Sequence, residues 1–414
     1  MKTVQQQLTQ FLAHITQVPP LDVALADASG CILAADVIAR SAVPPTALAA
    51  CDGYAVRAKD VEGARPTAPA VLPVAHVITN ALADPIRLVD FQAIKVSSGA
   101  ALPIGADTII PLADTDRGTV RVAITDSGRR GQHILSAGAD MHEGDIALRA
   151  GTRLGARQLA LAAGLGYPRI TVHPRPRVVV VPVGDELVPP GSPHHGIYDA
   201  NGPALRTAIQ DVGAVAIQVA PLPDTPSALT EAIEDQMVRA DLIVTTGGLS
   251  EGENDTLKDV LLHLGDVRFD HIAMQPGRNQ GFGMLKVQGF TGDEADHVPV
   301  YALPGAPAAA HVAFEVFVRP ALRAMAGYSE LYRPALTATT TTSWRSPHGI
   351  RQFLPAHVTG TPDGGYEVTP VGDPEHLDNL TLSLVASANA LAVVPEDMTD
   401  VATGASLPCL ILED

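Results

Sequence analysis

The sequence predicts an α/β multidomain protein: a central doubly wound parallel sheet, an inserted β-rich module, an α/β N-terminal segment and a C-terminal β-domain. Three observations predict it. Between residues 178 and 303, short apolar runs alternate with stretches of helical periodicity, the pattern of parallel strands covered on both faces. From 45 to 138, the stretches AHVIT, AIKVSSG, DTIIPLA and VRVAIT are separated by Gly, Pro and Asp, as in a small β-module. Past residue 332, TATTTTSW, YEVTPV, ALAVVPE and SLPCLIL return to β-branched alternation.

Taken in order, MKTVQQQLTQFLAHI spaces its apolar residues as an amphipathic helix and lacks the apolar core of a signal peptide. The pair Pro44-Pro45 forces an extended path and marks a boundary near Pro44. After the β-module, AGTRLGARQLALAAGLG reads as a helix closed by Gly164 and Gly166. Beyond the hinge VHPRPR, the strands are expected at 178–183, 214–220, 241–246 and 298–303. Helices are expected from near Asn201, after Asp224 and after Asp255, each with an Asx or Thr residue placed to accept free N–H groups, and a last helix through AAAHVAFEVFVRPALRAM. The expected domains are residues 1–44 plus 139–173, 45–138, 174–328 and 329–414.

Twenty-eight basic against 45 acidic residues give a net charge of −17, which argues against nucleic acid or an anionic membrane as partner. A phosphorylated ligand then requires a local device: a glycine loop, a helix N-terminus or a divalent cation. Cys31, Cys51 and Cys409 are odd in number and lack close pairing, so neither a disulfide framework nor a zinc knuckle is indicated. No window approaches the roughly 18 uninterrupted apolar residues of a membrane span. A cytoplasmic protein is expected.

Ligands of an open parallel sheet settle beyond the carboxyl ends of its strands. There the sequence places Gly184-Asp185-Glu186, Gly247-Gly248-Leu249-Ser250-Glu251-Gly252 and Pro304-Gly305-Ala306-Pro307. Glycines at such positions let backbone N–H groups approach a phosphate. The acids Glu186, Asp224 and Asp255 read as helix caps, a role that is compatible with binding a hydrated magnesium ion shared with phosphate. The adjacent His194 and His195 have no third ligand nearby and read as a surface loop.

Further segments carry a resemblance. CDGYAV is similar to a Met-Asp-Gly-Tyr-Ala-Val motif, SSGAALPIGAD to Thr-Gly-Ala-x-x-Pro-x-Gly-Ala-Asp, and GADMHEGD to Gly-Glu-Asp-Ile-x-x-Gly. VGDEL, IYDANGPAL, TTGGLSEGENDTLK and LPGAPAA match Thr-Gly-Asp-Glu-Leu, Tyr-Asp-x-Asn, Ser-Gly-Gly-Val-Ser-x-Gly-x-x-Asp and Leu-Pro-Gly-Asn-Pro. Together they resemble the molybdopterin molybdenumtransferases of the MoeA type and the gephyrin E domain, nearly end to end.

The resemblance implies a MogA-like central domain and a magnesium-assisted reaction. Molybdate enters adenylylated molybdopterin, and AMP and molybdenum cofactor leave. It also implies an elongated homodimer whose active site lies where the central domain of one subunit meets the inserted module of the other, and the adenylyltransferase of the same pathway as a partner. Carried over by motif, the catalytic residues are Asp52, Ser98 (where Thr is usual), Asp140, Glu186, Asp224 and Asp255, with Glu186, Asp224 and Asp255 as magnesium ligands. Gly247, Gly248, Ser250, Gly252, Gln275, Arg278, Pro304, Gly305, Arg351 and Ser383 would bind substrate.

The chain departs from the family pattern where Lys-Pro-Gly-Lys-Pro becomes Gln275-Pro276-Gly277-Arg278-Asn279. The first cation is lost and the second is a guanidinium. Ala306 also replaces the Asn of the PGNP turn, and Cys51 replaces Met. These losses motivate the competing reading of a catalytically weakened paralogue acting as a dimeric pterin-binding or scaffolding protein.

Overall fold

The computed structural model describes residues 1–80, 84, 86–249, 256–287, 297–376 and 380–412. The chain forms two compact units. One comprises Met1–Ala34, Gly151–Gly155 and Arg169–Asp414, and the other Ala35–Ala150 and Ala156–Pro168.

The larger unit is organised by a six-stranded sheet of β1 (Arg177–Pro182), β2 (Val215–Gln218), β3 (Leu242–Thr246), β4 (Gly265–His271), β5 (Asn279–Lys286) and β6 (His297–Leu303), in the order β2-β1-β3-β6-β5-β4. Successive side chains of a strand point to opposite faces. Here both faces are apolar and both are covered. Val178, Val180, Leu242 and Val244 join Leu205 and Ile209 of helix α1 (Asn201–Asp211), together with Phe314 and Phe317, in one core. Val179, Val181 and Ile243 join Leu229 and Ile233 of α2 (Pro226–Met237) and Leu257 and Leu261 of α3 (Thr256–Leu264) in the other. This is the doubly wound arrangement.

The sheet is not wholly parallel. β5 runs antiparallel to both β4 and β6. β4 and β5 lack the continuous apolar run of a strand buried on both faces, and β5 carries Gly281 and Gly283 within it. A Cβ at Gly283 would lie 2.1 Å from the carbonyl oxygen of Asp266, so glycine permits the close strand approach there.

The N-terminal helix Val4–Leu12 starts with a reciprocal cap: Gln6 N–H donates to the Thr3 hydroxyl at 3.1 Å, and Thr3 N–H donates to Gln6 Oε1 at 3.0 Å. Its apolar stripe of Val4, Leu8 and Phe11 packs into the first core, where the Phe11 ring meets the edge of Tyr301 at 4.6 Å. Backbone bonds from Lys2 N to His271 O at 3.0 Å and from Val18 N to Met325 O at 2.9 Å fix the segment at both ends. The helix after Pro307 continues to Met325 through a π-helical turn at Phe314–Val318. The expected caps differ in detail. Thr225 precedes α2 but its hydroxyl makes no capping bond. At α1 the capping oxygen is Asp199 Oδ1, which accepts from Gly202 N at 2.8 Å.

The C-terminal β-domain closes on Trp344, Leu354, Val368, Leu407 and Cys409. Its sheet recruits the short strand Met274–Gln275, which pairs in parallel with Arg351–Thr361 and sets Gln275 beside Gln352.

The second unit is built on a five-stranded sheet in the order Thr108–Pro111, Gly53–Val56, Ala93–Val96, Ala70–Ile78, Arg121–Ile124. Tyr54, Ile110, Val122 and Ile124 share its core. The unit also takes in residues 35–44 and 139–150 and the helix Ala156–Gly164. Among the described residues no helix is long and apolar enough to cross a membrane.

Candidate active site

Strands β1, β3 and β6 end side by side, Pro182 opposite Thr246 and Thr246 opposite Leu303, so the loops that follow them meet at one edge. Two side chains tie these loops together. Asn201, at the start of α1, donates from Nδ2 to the Thr246 hydroxyl at 2.8 Å and to the Gly305 carbonyl at 2.8 Å. The Thr246 hydroxyl in turn donates to the Pro304 carbonyl at 3.0 Å. Gly247 takes φ +93°, and a Cβ there would stand 2.2 Å from the Val183 carbonyl oxygen. Only glycine fits this crossing of two loops. Gly248, at φ +66°, packs directly against Leu257.

The acidic residues of this edge approach one another through the backbone. Gly184 N donates to the Leu222 carbonyl at 3.0 Å, and Asp224 N donates to Asp185 Oδ1 at 2.9 Å. The turns carrying Glu186 and Asp224 are thereby neighbours. Ser250, Gly252 and Asp255 lie outside the described residues. Among the described residues no three His, Cys, Asp or Glu side chains form a metal cluster.

On the other side of the edge lies a cleft of about 560 Å³ lined by Gln275, Pro276, Arg278, Pro304, Ala306 and Ile350, among others. Its floor is the turn Gln275-Pro276-Gly277-Arg278, which is clamped from within. The buried Tyr301 hydroxyl donates to Gln280 Oε1 at 2.5 Å, and Gln280 Nε2 donates to the Gly277 carbonyl at 2.5 Å. Arg278 is exposed and has no ion-pair partner among the described residues. Its fork is available to an oxyanion. Arg351 is differently employed: its Nη2 donates to Glu396 Oε2 at 2.9 Å, and its neighbour Ile350 faces the cleft. Ser383, in the helix Leu382–Ser387, shares a hydrogen bond of 2.9 Å with Thr381 and does not line the cleft.

In the second unit, Asp52 and Ser98 come together. Ser98 N–H donates to Asp52 Oδ1 at 2.7 Å, while the Ser98 hydroxyl reaches the Ala50 carbonyl only at 3.4 Å. Asp140 is exposed in the turn after Gly138, with its N–H donating to the Val43 carbonyl at 3.0 Å. Burial, and then the charge of Asp52, push the Cys51 thiol above its ordinary pKa, so it stays protonated near neutral pH. His194 and His195 are exposed in a loop, as expected.

Sequence reasoning missed Asn201, Thr246 and Asp199 as site residues. Asp199 is buried and accepts from both Gly202 N and Gln218 Nε2, so it organises the start of α1. The signal was present in IYDANGPAL, a polar pair at the head of a helix beside the ligand edge.

Comparison with known proteins covers the whole architecture. Residues 2–166 match the MoeA N-terminal region (domain I and II), residues 179–324 a probable molybdopterin binding domain, and residues 337–412 the MoeA C-terminal region (domain IV). Molybdopterin molybdenumtransferase 2 of Mycobacterium tuberculosis is 38% identical over 98% of each chain. The molybdopterin molybdenumtransferase of a Nostoc species is 32% identical over 91% of this chain and 85% of its own. The molybdopterin biosynthesis MoeA protein of Pyrococcus horikosii has a crystal structure that covers 100% of this chain and 99% of its own, with a TM-score of 0.81 at 28% identity.

Proposed function

The chain belongs to the MoeA family of molybdopterin molybdenumtransferases, and we propose that it inserts molybdate into adenylylated molybdopterin, releasing AMP and forming molybdenum cofactor. The observation that carries this reading is the pairing, on one sheet edge, of a glycine-lined loop cluster with a cleft whose floor presents Arg278 and Gln275.

Each part has a chemical task. Molybdate is a tetrahedral dianion, and Arg278 with Gln275 supplies hydrogen-bond donors for it inside a largely apolar cleft. Release of AMP is a displacement at phosphorus, in which the leaving phosphate gathers charge. The backbone N–H of Gly248 meets part of that charge, while the Gly247 N–H is held by the Leu303 carbonyl at 3.3 Å. Glu186, Asp224 and Asp255 are hard oxygen donors, suited to magnesium, and would hold it, and the ion would offset charge on the phosphates. Asp52, Ser98 and Asp140 belong to the same reaction, and a homodimer belongs to the same reading.

The test is incubation of the purified full chain with adenylylated molybdopterin, magnesium and molybdate, following AMP. Molybdate-dependent AMP release with cofactor formation is the expected result. A second reading, a pterin-binding protein of weakened activity, is favoured by the neutral Gln275 and by Ala306 in the cleft wall. Bound pterin without AMP release would select it.

A further inference from the structure

We propose that Trp344 and Gln352 are positioning residues that fix the polarity of the Gln275 side-chain amide, so that its N–H group rather than its oxygen serves the cleft as a neutral oxyanion donor. The proposal rests on the reading of that cleft as the oxyanion site.

The indole N–H of Trp344 can only donate. It lies 3.4 Å from Oε1 of Gln352, and both residues are buried. The oxygen end of Gln352 must therefore face the indole. Its nitrogen end then donates to Gln275 Oε1 at 3.2 Å and to the Pro374 carbonyl at 3.3 Å. Turning the Gln352 amide around would set its NH2 group against the indole N–H and its oxygen against the Pro374 carbonyl, two repulsive contacts away from water. One orientation survives, and it commits Gln275 Oε1 as an acceptor.

Gln275 and Gln352 are register partners on adjacent parallel strands, so the bond between them is built into the sheet. The remaining polar atom of Gln275, Nε2, has no hydrogen-bond partner among the described residues, and Gln275 lines the cleft with Arg278. The Tyr301–Gln280–Gly277 chain fixes the same turn from its other side: the Gly277 carbonyl can only accept, so it takes the nitrogen end of Gln280, and the Tyr301 hydroxyl donates to the oxygen end. The turn thus offers one guanidinium and one oriented amide, and the second donor neither carries charge nor titrates.

The experiment measures the molybdate dependence of cofactor formation by the full chain at about pH 8, with direct titration of molybdate alone as a second readout. Gln352→Glu keeps the shape but accepts from both neighbours, which turns the Gln275 oxygen toward the cleft. The KM for molybdate should rise about tenfold, with a smaller change in kcat. The double variant Gln275→Lys with Gln352→Glu should restore it, because an ammonium group donates in both directions. A wild-type KM in Gln352→Glu, or no rescue in the double variant, would overturn the proposal. If Gln352→Glu does not fold, Trp344→Phe decides: a KM raised about threefold supports the positioning role, and an unchanged KM refutes it. Arg278→Ala separates the two layers. If it raises the KM while Gln352→Glu does not, the polarity device is wrong and the cleft reading stands; if it leaves molybdate binding unchanged, the cleft reading falls.

Discussion

The side-chain nitrogen of Asn201 lies 2.8 Å from the hydroxyl oxygen of Thr246, joining the head of a helix to the end of a central strand. The same nitrogen reaches the Gly305 carbonyl, so one amide holds two of the three loops at the ligand edge. Removing it in Asn201→Ala should cost about 1–3 kcal/mol of stability. Asn201→Asp should cost more and lower turnover further, because a carboxylate would face the Gly305 carbonyl. Denaturant unfolding and the AMP assay on both variants measure this.

Gly247→Ala should destabilise by at least about 3 kcal/mol, since the added Cβ meets a left-handed backbone and the Val183 carbonyl together. Gly30→Ala is the control. Its φ is +78° but nothing lies within 4 Å of the new carbon, so only the backbone term of about 1 kcal/mol should appear. Equal losses at the two sites would show that the loop crossing is less tight than it looks.

Arg278→Ala should raise the KM for molybdate about 10- to 100-fold, the equivalent of one charge-assisted hydrogen bond. Arg278→Lys should fall between, keeping the charge and losing the fork. Steady-state kinetics with molybdate as the varied substrate decides.

Ser98 holds the Asp52 carboxylate through its backbone N–H, not its hydroxyl. Ser98→Ala should therefore stay within about fivefold of wild-type turnover. Asp52→Asn keeps an acceptor for that N–H but removes the charge, and AMP release should drop at least about tenfold.

His311 supplies the pH dependence. Burial, outweighing the nearby Glu315 charge and reinforced by Arg333, holds its pKa below the ordinary 6.5. The unfolded chain then binds the proton more readily, so stability is fully present above about pH 6.5 and is lost as the pH falls from there toward the folded value. Folding free energies between about pH 5 and pH 8 should slope less in His311→Gln than in wild type. Parallel curves would remove His311 as the source.

What the sequence discloses follows from how locally each feature is encoded. Val178 to Val181 announce a strand buried on both faces because every residue is apolar. Strands Gly265–His271 and Asn279–Lys286 escape notice because glycine and polar residues interrupt them, and their pairing depends on a neighbour met only in the folded chain. The motif acids and glycines are visible as short patterns. The Asn201–Thr246 bond, across 45 positions, and the Gln352–Gln275 bond, across 77, join residues that carry no mark of each other. The position of Gln275 was legible as a lost cation, but the orientation of its amide was not.

The placement of the first helix bears on the order of events during synthesis. Val4, Leu8 and Phe11 leave the ribosome long before Phe317, Leu322 and Met325, which belong to the same core. Until those later residues emerge, this apolar stripe lacks much of its native surface, so it docks late relative to its own synthesis. Residues 35–150 meanwhile hold most of a complete compact unit and can settle while the rest of the chain is still emerging.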